Sequence, residues 1–171
     1  MKIKLIAFFA LLFPVLSMAK DSVNNLGYSE YRNIVNEEFK AKQINYYQLP
    51  KSIIRREKEG LYKFNDDFFV GLKFDDKDNI TTVLSTLFIN DGKRIETDLS
   101  PLVILASSVQ GKPINDDVSR QLLEMLSQAI KMSKKDKERV DLYFTYQKRN
   151  YGVSFEYNDP VVVIYSKKKI E

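Results

Sequence analysis

The chain has 171 residues, no histidine, no cysteine, and 27 basic against 23 acidic side chains. Without those two residue types it cannot run Ser-His-Asp or Cys-His nucleophilic catalysis, and it lacks the usual ligands of zinc, histidine-held haem and iron–sulfur clusters. Any chemistry would rest on carboxylates, Lys, Tyr, Ser or an oxygen-ligated metal, so the composition leans away from an enzyme and calls for no cofactor.

The first residues read as an export address. Lys2 and Lys4 precede the apolar run Leu5–Leu16, and Ser17-Met18-Ala19 has the small-x-small form of a cleavage site. Cleavage after Ala19 is expected, leaving a single mature domain, Lys20–Glu171, in the periplasm or secreted. The alternative is an uncleaved interfacial helix. The apolar run is too short to span a bilayer, so no stable membrane insertion is expected. Removing Lys2 and Lys4 from the 27 basic side chains leaves 25 against 23 acidic ones, a net +2. That near-neutral balance does not point to nucleic acid. With no cysteine there is no disulfide, and the domain must stand on its hydrophobic core.

Past a polar start, Ser29 to Gln43 predicts a helix, with Tyr31, Ile34, Val35 and Phe39 as its apolar stripe. Pro50 and Gly60 bracket KSIIRREKE, which reads as a second, short helix. The period then becomes two. Phe68, Val70, Leu72 and Phe74 alternate against Phe69, Gly71 and Lys73, Asp75–Asn79 is a polar turn, and Ile80–Ile89 is a long strand. Asn90-Asp91-Gly92 is a hairpin signal, with Arg94–Thr97 as its return strand. Ser100-Pro101, LVILASSVQ and Gly111 have the cap, proline and closing glycine of a buried helix, although a buried strand fits the same run.

Asn115–Ser133 is the clearest periodic segment. Val118, Leu122, Leu126, Ala129 and Ile130 form a stripe that Leu123 and Met125 broaden, Asn115–Asp117 cap its start, and Lys131, Lys134 and Lys135 suit its carbonyl end. Val140–Gln147 then alternates, with Leu142, Phe144 and Tyr146 against Tyr143, Thr145 and Gln147. Tyr151, Val153, Phe155 and Tyr157 repeat the pattern, which predicts a hairpin turning at Arg149-Asn150. Val161–Tyr165 is apolar at both parities, as a central strand would be. The elements predict an α+β fold, with a largely antiparallel sheet of about five to seven strands and helices packed on one face. LY and GLKFD at 61–62 and 71–75 recur as LY and GVSFE at 142–143 and 152–156, a short repeat or a coincidence of two amphipathic strand pairs.

Four features bear on chemistry. The loop Asp75-Asp76-Lys77-Asp78-Asn79 fails the EF-hand pattern in either register and reads as a charged turn. Glu156 with Asp159, or Asp66 with Asp67, would need a shared cleft and one raised pKa to act as an acid–base pair; solvated surface carboxylates are the plainer reading. Ser166-Lys167-Lys168-Lys169 has the S-x-x-K form without the companion elements of serine acyl-enzymes. Finally, five of the ten tyrosines lie in Tyr143–Tyr165. Tyr143 shares the polar face with Thr145 and Gln147, and Lys148 and Arg149 stand at the expected turn. Tyr beside Arg suits a protein contact surface, so Tyr143, Lys148, Arg149 and Tyr151 are the candidate binding residues. Strand tyrosines that merely satisfy β propensity are the competing reading.

The resulting expectation is an exported, non-catalytic factor that binds another protein, of the periplasmic inhibitor, immunity or accessory type. A carboxylate-dependent hydrolase of envelope polymers and a carrier of a small apolar ligand are the alternatives. The sequence sets no oligomeric state.

Overall fold

The computed structural model describes residues 25–89, 98–112, 116–158 and 160–169. They form an antiparallel sheet of seven strands with helices on one face. The strands are β1 (Ile54–Arg56), β2 (Glu59–Lys63), β3 (Phe68–Phe74), β4 (Ile80–Phe88), β5 (Val140–Tyr146), β6 (Arg149–Glu156) and β7 (Val161–Lys168), ordered β1-β2-β3-β4-β7-β6-β5. The helices are α1 (Tyr28–Ala41), α2 (Ser100–Ser107) and α3 (Asp116–Asp136), and a 3-10 turn (Ser108–Gln110) continues α2.

The amphipathic runs become the elements their periods predict. In α1, Tyr31, Ile34, Val35 and Phe39 are buried, and the Tyr31 hydroxyl donates to the Leu105 carbonyl at 2.8 Å, tying α1 to α2. α2 buries every residue from Pro101 to Ser107, which settles the Ser100–Gly111 run as helix; Gly111 closes it at φ 84°, where glycine costs least. α3 lies over β5 and β6 and buries Val118, Leu122, Leu126 and Ala129. Its stripe is narrower than the sequence suggests, because Leu123 stays 45% exposed. β7 sits between β4 and β6, the central place its apolar residues at both parities call for.

The segment after Pro50 is not a helix. Ile54–Arg56 and Glu59–Lys63 form a hairpin, with Glu57 at φ 52° in the turn. Pairing of β2 with β3 over five residues supplies backbone bonds that outweigh a weak helical pattern. Gly60, instead of ending a helix, gives room to Ile53 and Phe74, whose atoms lie 2.4 and 3.2 Å from where a Cβ would be. Asn90-Asp91-Gly92, Arg94–Thr97, Asn115 and Asp159 lie outside the described residues.

The β5–β6 hairpin turns at Gln147-Lys148, two residues earlier than expected. Both have positive φ, 44° and 57°, and Tyr146 pairs with Arg149. Alternation alone permits either register. Full-length pairing of β6 with β7, from Arg149 opposite Lys168 to Glu156 opposite Val161, fixes this one. The repeat has no structural counterpart in its first dipeptide: Leu61 pairs with Gly71 and is 56% exposed, while Leu142 pairs with Val153 on the helix side.

Candidate functional site

The helix-facing side of the sheet is filled. Phe68, Val70, Leu72 and Phe74 are at most 4% exposed. Phe39, Tyr47, Phe64 and Phe68 make edge and stacked ring contacts of 4.6–6.2 Å over β3. The other side of the sheet is uncovered among the described residues.

On that outer face the register aligns one position from every strand into a single row. Ile54 lies opposite Leu61, Leu61 opposite Gly71, and Gly71 opposite Leu84. Leu84 lies opposite Tyr165, Tyr165 opposite Gly152, and Gly152 opposite Tyr143. Six strand spacings of about 4.8 Å make the row roughly 29 Å long. Ile54, Leu61, Leu84 and Tyr143 are 80, 56, 41 and 73% exposed, which is unusual for large apolar and aromatic groups gathered in one line.

A polar row flanks it: Arg56, Glu59, Lys73, Thr82, Lys167, Asn150 and Thr145. Lys73 Nζ meets the Glu59 carboxylate at 2.6 Å, and the Thr145 hydroxyl donates to Asn150 Oδ1 at 2.8 Å. On the far side Phe69 and Phe88 add a ring pair at 5.5 Å, next to Val161 and Val163. The face is therefore an apolar stripe with a polar row along one side, a layout that suits a protein contact surface.

Of the two glycines in the row, Gly152 shapes it. A Cβ on Gly152 would stand 2.3 Å from the Tyr165 ring, so that ring fills the space over the glycine as a cover. Burial raises the Tyr165 pKa, with Asp141 and Tyr143 acting the same way. Gly152→Ala is expected to cost about 1–3 kcal/mol in a wild-type background, and much less with Tyr165→Ala, where no ring must swing aside. Urea unfolding of the four chains of this cycle measures the coupling. Equal costs in both backgrounds would mean the ring does not rest on Gly152.

The four expected binding residues part company. Tyr143 is 73% exposed and ends the apolar row, and Lys148 is exposed in the turn. Arg149 and Tyr151 belong to the other face. Arg149 is 7% and Tyr151 0% exposed, because a two-residue turn at Gln147-Lys148 puts Arg149 on the same side as Tyr146. Arg149 Nη2 donates to the Ile80 carbonyl at 2.9 Å, and Nη1 to the Thr81 carbonyl at 3.2 Å and Ser166 Oγ at 3.4 Å. Pairing of β3 with β4 slips here, from Lys73 opposite Thr82 to Phe74 opposite Ile80, so the guanidinium bonds carbonyls beside a bulge. Burial lowers its pKa, with Tyr151 and Tyr31 acting the opposite way. The Tyr151 ring stacks on Phe144 at 5.3 Å, and burial raises its pKa.

Sequence reasoning missed Ile54, Leu61, Leu84 and Tyr165. Leu84 and Tyr165 carried a signal, since β4 and β7 hold large apolar residues at both parities. Ile54 asks for burial in a segment read as helix, and in β1 it is instead 80% exposed.

Asp75 and Asp66 are committed elsewhere. Asp75 accepts from the Lys77 and Asn79 amides at 2.9 and 2.8 Å and from Asn79 Nδ2 at 3.1 Å, which makes the loop a self-bonded turn. Asp66 is held below its ordinary pKa by a hydrogen bond from Lys63 and by that residue's charge, opposite to what a general acid needs. Among the described residues no group of His, Cys, Asp and Glu is arranged to hold a metal ion, and no helix is long and apolar enough to cross a membrane. Comparison with protein-family models, with curated proteins and with solved structures returns no match.

Proposed function

We propose that the chain is an exported, non-catalytic factor that binds another protein through the outer face of its sheet, in the manner of a periplasmic inhibitor, immunity or accessory protein. The seven-strand apolar row carries this reading. It gathers exposed Ile, Leu and Tyr side chains on a rigid scaffold and borders them with ion-paired and hydroxyl groups. The basic, then apolar, then small-residue start of the chain supports export. A carrier would need space between sheet and helices, and the ring-packed core over β3 argues for packing instead.

The test compares capture from an envelope extract by the wild-type mature chain and by a Leu61→Ser, Leu84→Ser double variant. Both leucines are exposed, so the unfolding midpoint should barely move. Loss of two anchors should weaken the captured partner's binding by on the order of thirtyfold or more. Undiminished binding by the double variant would remove the outer face as the site.

A further inference from the structure

The sheet has two edges, and they differ in how far they resist pairing. β1 is three residues long and carries Arg55 and Arg56, a short and charged edge of the kind that blocks further strands. β5 is seven residues long, holds no Lys, Pro or Gly, and runs in unbroken register with β6. Because Tyr146 and Arg149 close a two-residue turn, their pair and every second pair above it exchange N–H···O bonds. The backbone amides and carbonyls of Asp141, Tyr143 and Thr145 therefore point out of the sheet. Among the described residues, no strand lies beyond β5 to receive them.

We propose that β5 is the seam of a homodimer, pairing antiparallel with β5 of a second copy about a twofold axis at Tyr143. The strand is self-complementary in that register. Tyr143 would stand opposite Tyr143 of the second copy, and Asp141 opposite Thr145, each pair exchanging two N–H···O bonds. No like charges face each other, and the Asp141 carboxylate is already met by Arg139 at 3.0 Å. On the helix side, Leu142 would cover Phe144 of the second copy and Val140 would cover Tyr146, all four only partly buried in one chain. The helices fit as well. α3 lies over β5 and β6, and the axis falls half a strand spacing beyond β5. The two copies of α3 would then run side by side on one face of the joined sheet, roughly 10–14 Å apart. The outer apolar row would continue through the paired Tyr143 residues from one copy into the next.

Light scattering after gel filtration of the full chain at micromolar concentration is expected to give twice the chain's mass. Thr145→Pro removes an outward N–H without touching the bonds to β6 and should give a monomer with unchanged circular dichroism. Tyr143→Lys sets two ammonium groups face to face on the axis and should do the same. The chain has no cysteine, so single introduced thiols report the register. Tyr143→Cys should link to itself through a short bis-maleimide, whereas Thr145→Cys, roughly 13 Å from its copy, should not. The Leu61→Ser, Leu84→Ser variant lies off the seam and should stay dimeric, so failure here is distinguishable from failure of partner binding. A monomeric wild-type chain, a dimer that survives both Thr145→Pro and Tyr143→Lys, equal cross-linking at both thiols, or loss of the dimer in the leucine variant would each overturn the proposal.

Discussion

Arg149→Ala is expected to lower the unfolding free energy by about 2–4 kcal/mol, while Tyr143→Ala costs under roughly 0.5 kcal/mol. The two residues lie on neighbouring strands, and simple alternation would place both on one exposed surface. In the fold Arg149 is 7% exposed and donates to two carbonyls at the start of β4 and to Ser166 Oγ, while Tyr143 is 73% exposed. Removing the guanidinium leaves the Ile80 and Thr81 carbonyls facing a gap where the β3–β4 ladder has already slipped. Buried acceptors that lose a charged donor cost more than an exposed ring that loses contact with water. Urea titrations of the two single variants decide the matter. A small loss at both would return Arg149 to the surface and move the turn back to Arg149-Asn150.

Leu122→Ala is expected to cost about 2–5 kcal/mol, and Leu126→Ala a similar amount, against under roughly 0.5 kcal/mol for Arg120→Ala or Gln128→Ala. Leu122 and Leu126 are 0 and 2% exposed on the face that α3 lays over β5 and β6, so each truncation opens a cavity against a close-packed sheet. Arg120 and Gln128 are exposed on the same helix and leave no such void. Denaturant unfolding of the four variants should separate them into two pairs. Equal losses across the set would mean that α3 buries a different face.

Much of the fold was legible because strong periods repeat over long runs. The α3 stripe, the β3 alternation and the both-parity apolar run of β7 each left one structural option. The short elements were not legible in the same way. Pro50–Gly60 has a proline, a glycine and few apolar residues, a pattern compatible with a helix or a tight hairpin. Its outcome depends on whether β3 offers an edge to pair with. The candidate site was half legible: Tyr143 and Lys148 are exposed as binding residues must be, whereas Tyr151 is buried beside Val153 and Phe155, the side its own alternation gives it, and the shifted turn carries Arg149 inward.

What the sequence by itself determined about this protein is which residues alternate and which chemistries are missing. Period and composition are local properties, and every strand's own two faces follow from them. Only the tertiary structure decided which strand lies beside which, and in what register. A row of Ile54, Leu61, Gly71, Leu84, Tyr165, Gly152 and Tyr143 exists only once seven strands from distant parts of the chain are hydrogen-bonded side by side. A two-residue shift of the β5–β6 turn keeps every face assignment in those strands, yet it carries Arg149 from a loop tip into the core. Register is set by the summed hydrogen bonds and packing of whole neighbouring strands, and no single strand's sequence contains that sum.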